Sequence, residues 1–198
     1  LIMKEKEGQG SAGGARQGDV FHGEFWKKNL GELRFRGAAG RPGRLLCGRL
    51  LPGTDLVDGI VAMARSFGIR EAIFSCFGSL ARARFSTGVR PSTSNPEDLV
   101  RVPPRIIEGP VELLCAQGKL GLPTEGDPVI HIHGALVTPD GVVTGGHFFS
   151  GGNPVFATME VVIQEILGVR QLWEEDRESG VVLIESVPDQ PKGVDHGI

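Results

Sequence analysis

The segment from Val129 to Ser150, VIHIHGALVTPDGVVTGGHFFS, constrains this chain most, because it joins two alternating apolar stretches through a three-residue reversal. Proline at Pro139 presets φ for a type I turn, aspartate suits the next position, and Gly141 takes the left-handed place that forms a G1 bulge. In that geometry Thr138 faces Val142, paired residue numbers sum to 280, and His133 stands opposite His147. His131 lies two residues from His133, hence on the same face, and is the diagonal neighbour of His147. A two-residue loop centred on Pro139 and Asp140 turns His147 to the other face, but it places proline where a type I′ turn needs positive φ. Three imidazoles in one cross-strand cluster meet the needs of a divalent metal with nitrogen ligands and leave a fourth position for water or another oxygen. Zinc leads, although nickel, copper or iron suit the same nitrogens. The competing reading is a polar sheet face lined by hydrogen-bonded histidines. His22 and His196 fall in expected tails and are given no role.

Composition narrows the classes. A chain of 198 residues suits one well-buried domain with extensions. Its 30 glycines, about double the usual share, imply many turns and bulges. A formal charge of −3 argues against a surface built to neutralise many phosphates, so direct DNA binding starts at a disadvantage. Cys47, Cys76 and Cys115 are odd in number and widely spaced within apolar runs, which predicts buried free thiols rather than a disulfide framework. No stretch approaches the roughly twenty apolar residues of a membrane-spanning helix. No signal-peptide core is visible either, and a cytoplasmic protein is expected.

Along the chain, residues 1–18 read as a disordered leader, 19–42 as an arm and linker, 43–187 as the domain and 188–198 as a tail. The arm carries Phe21, Phe25, Trp26, Leu30, Leu33 and Phe35 without a sustained period, and is expected to pack on the body or on a neighbouring subunit. A first strand over 44–51 leads through Pro52 and Gly53 to Thr54, the expected N-cap of a helix. Leu56, Ile60, Met63, Ala64 and Phe67 recur on one helical face, and Gly68 caps its end. Strands are predicted at 70–78, 80–86, 105–116, 128–138, 142–150, 154–166 and 180–187, with Arg82 and Arg84 on a solvated face and a long exposed loop from Gly88 to Pro104. One helix followed by a run of strands is an α+β pattern, sandwich-like, with a mostly antiparallel sheet of about seven strands and one main helix packed on it.

Several ordered motifs carry a resemblance. They are Arg49 to Leu56 before the helix, Gly78 closing the strand after it, Glu108 to Leu114, Val143 to His147 after the turn, and Ala157 to Val162. Together they resemble the plants-and-prokaryotes conserved (PPC) domain over about residues 43–187, a family whose prokaryotic members are labelled DNA-binding proteins. The resemblance implies a compact domain with a major antiparallel sheet, assembled as a homotrimer. It also implies that His131, His133 and His147 are kept as in prokaryotic members, some of which look like zinc proteins. Plant members add an AT-hook. Here Gly40, Arg41, Pro42, Gly43 and Arg44 come nearest to one, but Ala39 precedes them and the segment reads as a linker. Two functions follow as expectations: a trimeric, metal-holding regulatory or interaction module whose DNA association is indirect or assisted, or a metal-dependent enzyme acting on a small polar substrate through a zinc-bound water. Glu112 or Glu160 would be the base of the second, which requires a carboxylate within hydrogen-bond reach of the metal water.

Overall fold

The computed structural model describes residues 20–21, 31, 34–95 and 97–189. The elements run β1 (Val20–Phe21), β2 (Arg41–Leu50), α1 (Leu56–Ser66), β3 (Glu71–Ser86), β4 (Val89–Pro91), β5 (Leu99–Arg101), β6 (Arg105–Gly121), β7 (Val129–Val137), β8 (Val143–Phe148), β9 (Val155–Leu167), β10 (Val169–Glu175) and β11 (Val182–Pro188). Six of these form the main sheet in the order β2-β9-β3-β6-β7-β8, and a further pairing of β3 with β8 closes β3, β6, β7 and β8 into a ring. Every named strand pair is antiparallel. The expected α+β class with one helix is therefore met. The expected seven strands become six in the main sheet, with two small sheets, β1-β5-β4 and β10-β11, beside it.

Helix α1 forms because its apolar residues fall on one face: Leu56, Val57, Ile60, Val61 and Ala64 are buried, and they share one core with Phe74, Cys76, Met159, Val161 and Ile163 of the sheet. Its C-terminus closes as the sequence predicts. Ile69 N–H reaches the Ala64 carbonyl at 3.0 Å, Gly68 N–H reaches Arg65 at 3.0 Å, and Gly68 has φ of 65°. The N-terminus corrects the expectation, since Asp55 and not Thr54 is the cap. One Asp55 carboxylate oxygen accepts from Val57 and Asp58 N–H at 3.0 and 3.2 Å, and the other accepts from Gly152 and Asn153 N–H at 2.9 and 2.8 Å. A threonine hydroxyl cannot serve both groups, whereas a carboxylate has the lone pairs to do so.

Other departures have physical reasons. Strand β3 runs unbroken where two strands are predicted, because Gly78 adopts φ of 149° and lets the strand bulge without ending. The predicted loop at 88–104 contains the β4–β5 hairpin, and β10 occupies residues assigned to no element. Strand β2 begins at Arg41, inside the expected linker, with Arg41 and Pro42 paired to Leu167 and Ile166. Cys76 is buried as predicted, but Cys47 and Cys115 are exposed; all three are free. Arg82 is exposed as expected, whereas Arg84 is half-buried with its guanidinium 5.5 Å from the Phe149 ring. Of the arm, Val20 and Phe21 pair with β5, and Arg34 and Arg36 form ion pairs with Glu178, Asp176 and Glu185 of the β10–β11 hairpin region. The leader, four of the arm's six apolar residues (Phe25, Trp26, Leu30 and Leu33), the tail beyond Asp189, and the two histidines given no role lie outside the described residues.

Asp55 joins helix and loop, so Asp55→Ala is expected to lower the unfolding free energy by about 2–4 kcal/mol, the cost of a lost cap plus stranded backbone donors. Urea denaturation checks this; a loss no larger than that of an exposed alanine substitution would show that the four N–H contacts are dispensable.

Candidate metal centre

The reversal between β7 and β8 has the bulged form expected from its sequence. Thr138 N–H donates to the Val142 carbonyl at 2.9 Å, Gly141 N–H donates to Thr138 at 2.9 Å, and Gly141 has φ of 83°. The Thr138 hydroxyl donates to the Asp140 carboxylate and receives Val142 N–H at 3.0 Å, which fixes the loop further. The register that follows pairs Val137 with Val143 and His133 with His147.

Alternation then separates the faces of β7. Ile130, Ile132 and Leu136 point into the core, while His131 and His133 stand on the outer face, half-buried and exposed respectively. His147 is brought to the same place from β8, where it pairs with His133 on one side and Ser86 of β3 on the other. One ligand atom from each of the three imidazoles lies within 4.8 Å of the others. The Nε2 atoms of His131 and His133 are 2.9 Å apart, within hydrogen-bond distance. Ring centroids lie at 4.8, 5.0 and 5.3 Å, with Phe149 packed 4.6 Å from His147 and Trp173 6.2 Å from His131.

This environment holds the rings neutral. Burial first, then the neighbouring His133, Arg101 and Lys119, push the His131 pKa from 6.5 down to about 4. Burial, followed by His131, His133 and Arg101, takes His147 to about 3. His133 is lowered by burial and Arg101. A neutral imidazole keeps a lone pair available, which is the state a metal ligand needs. Two nitrogens on a tetrahedral zinc stand about 3.3 Å apart at the usual bond lengths. The ligand atoms, all within 4.8 Å of one another and with one nitrogen pair at 2.9 Å, span that spacing, and the all-nitrogen donor set suits zinc.

Arg101, Lys119 and Trp173 were not singled out by sequence reasoning. Arg101 sat in the expected loop and Trp173 in an unassigned stretch. The alternation of Val169, Gln171 and Trp173 was the available signal for β10. Glu112 and Glu160 are not brought to the histidines. Glu112 pairs with Val137, four residues or about 13 Å along β7 from His133. Glu160 lies on β9, three strands or about 14 Å from β7, and accepts from the Thr158 hydroxyl at 3.1 Å. Among the described residues no carboxylate or thiol joins the three imidazoles.

A small antiparallel domain with one capped helix and a histidine cluster on a sheet hairpin defines a class of structures, and comparison places the chain within it. The Plants and Prokaryotes Conserved domain matches residues 37–167, more than half of the chain, and the protein belongs to that family. A hypothetical protein from Salmonella enterica is similar at 25% identity and a TM-score of 0.61, over 78% of this chain and 100% of that one. A metal-containing protein from Archaeoglobus fulgidus is similar at 26% identity and a TM-score of 0.57, over 75% and 98%. A candidate DNA-binding protein from Ralstonia eutropha shares the fold at 21% identity and a TM-score of 0.55, over 70% and 88%. No curated protein matches the chain. Among the described residues no helix is long and apolar enough to cross a membrane.

Depressed histidine pKa values make the metal-free protein acid-sensitive. Below about 6.5 the unfolded chain binds protons that the native rings refuse, so stability is full above that pH and falls as pH drops toward the native values near 4 and 3. Denaturation midpoints from pH 8 to 4 are expected to fall on that path, and imidazole NMR signals of His131 and His147 should stay neutral through pH 5; titration of both near 6.5 would contradict it.

Proposed function

We propose that this protein is a trimeric, metal-holding interaction module of its family, cytoplasmic, whose part in DNA-associated regulation is indirect or assisted by partners. The observation that carries the metal reading is the convergence of His131, His133 and His147 within 4.8 Å on one sheet face. These three would hold the ion, most suitably zinc, and the metal-containing relative from Archaeoglobus fulgidus supports that reading. When bound, zinc supplies a Lewis-acidic position open to an oxygen ligand. The chain's own contribution is to fix the three rings by strand register and to keep them neutral by burial. The enzymatic reading is less favoured, because neither Glu112 nor Glu160 stands beside the rings.

Assembly is supported by the outer face of the main sheet. Leu45, Ile73, Phe77 and Val162 lie there with exposures of 62, 47, 57 and 38%, apolar side chains spread over β2, β9 and β3 with Gln164 and Glu160 among them. Exposed apolar surface of this kind marks a protein interface. The reading of DNA association as indirect rests on charge and on the former linker. The chain carries −3 overall, and the Arg44 guanidinium is committed to Glu165 at 2.7 and 2.8 Å and to the Phe67 and Gly68 carbonyls at 2.7 and 3.1 Å. An arginine so held is not available to a minor groove, while the Ralstonia eutropha relative keeps a DNA connection in view.

Elemental analysis of protein purified without a nickel column is expected to give one zinc per chain, and His133→Ala to weaken zinc binding on the order of 100-fold or more. An unchanged zinc content in that variant would remove the histidines from the site. Light scattering is expected to give three times the 21.1 kDa chain mass, and Phe77→Glu to shift it toward one; a monomeric parent would overturn the assembly.

A further inference from the structure

Register brings the three histidines to one place, but it does not set the attitude of their rings, because the last torsion of an imidazole is soft. His131 and His133 share β7, and their Nε2 atoms stand 2.9 Å apart. His147 comes from the last but one position of β8, where the strand is about to end. The second ring nitrogen of a metal-ligating histidine is ordinarily anchored to a carbonyl, a carboxylate or water. At His147 the structure supplies a ring: Phe149 lies 4.6 Å away between centroids, with the planes inclined at 57°, closer than the imidazoles lie to one another. Aromatic pairs at such distances have preferred orientations, so the contact constrains rotation as well as position.

Phe149 is itself fastened from several sides. Alternation puts it two positions beyond His147 on the same outer face, whereas Phe148 between them fills the core. Strand β8 pairs with β3 through Phe148 opposite Phe85, so Arg84 comes beside Phe149, and its guanidinium carbon lies 5.5 Å from the ring centroid. The same guanidinium donates to the Ser150 carbonyl at 3.3 Å. Fully buried Asn153 ties the two segments together: its Oδ1 accepts the Arg84 N–H at 2.6 Å, and its Nδ2 donates to the Phe149 carbonyl at 2.6 Å. The Ser150 hydroxyl donates to the Asp58 carboxylate of α1 at 2.6 Å. Phe149 is half-buried and lies outside the main core, yet its carbonyl, its ring and the following residue are all held.

We infer that Phe149 is a positioning residue of the histidine centre, and that its clamped ring holds the His147 imidazole toward the two imidazoles of β7. The inference rests on the metal-centre reading and extends it: support for the third ligand comes from the loop at 149–153 and not from the hairpin alone. A ring already held in place loses less freedom when an ion binds, so such support raises affinity and narrows the geometries the site accepts. Asp55 and Asp58 fasten the same loop to α1, which makes the helix N-terminus the base of this support.

Metal uptake is read in two ways, by competition for zinc with a chromophoric chelator and by the visible absorption of cobalt(II), whose bands follow the geometry of its ligands. Phe149→Ala is expected to bind zinc roughly tenfold more weakly and to change the cobalt spectrum. Phe149→Tyr keeps the ring and is expected to restore both. Phe149→Leu keeps most of the volume without the flat ring, so it carries the test if the alanine chain fails to fold; a loss of roughly threefold with an altered spectrum is expected. Variants that match the parent in affinity and spectrum overturn this inference alone, as does a loss that tyrosine does not restore. Weaker binding with an unaltered spectrum would reduce Phe149 to a general prop of the fold and overturn its positioning role. A parent chain that takes up neither metal overturns the metal-centre reading and this inference together.

Discussion

Strand register at the β7–β8 reversal is the constraint on which the site depends. Because side chains alternate with a period of two, a slip of one residue moves every histidine of one strand to the opposite face. The loop prevents it with the positive φ of Gly141 and the Thr138 hydroxyl, which accepts Val142 N–H across the turn. Register alone would set His147 beside His133, but the ring closure of β8 onto β3 holds it there. That closure needs the glycine pair. A Cβ at Gly145 would lie 2.0 Å from the Gly134 carbonyl oxygen, and one at Gly146, where φ is 150°, would lie 2.0 Å from that of Ser86. The two glycines let β8 press between β7 and β3 more closely than any side chain permits.

The parts legible in the sequence were those fixed by local chemistry. The hairpin register, the helix from its apolar face, the cap at Gly68 and most strands of the main sheet follow from turn residues and periodicity. What was not legible depended on distant partners. Asp55 outcompetes Thr54 as a cap because its second oxygen receives the backbone of Gly152 and Asn153, a contact between residues nearly a hundred positions apart. The β4–β5 hairpin is three residues a side, too short for alternation to register, and its strands are ordered by pairing with β1. Cys47 and Cys115 look buried in sequence because they sit in apolar runs; they are exposed because the outer face of this sheet is itself apolar. The failure thus has the same cause as the inferred interface.

The proposed interface and the histidines lie on one face of the sheet. Ile73 pairs with Lys119 and Lys119 with His131, so one rung of the sheet runs from the apolar patch to the first histidine over two strand spacings, about 10 Å. Covering Ile73 with another copy of the chain removes water from the flank of the cluster. The loss of water strengthens each electrostatic interaction within it and further disfavours the imidazolium form. The outer face is one surface with two halves, an exposed apolar half and a histidine half whose rings are already held neutral by burial within the chain. An exposed cluster of three histidines would be a loose chelator competing with protons near neutrality. This half-buried cluster keeps its nitrogen lone pairs within the single chain, and the sheet rung is the route by which the proposed assembly would act on it.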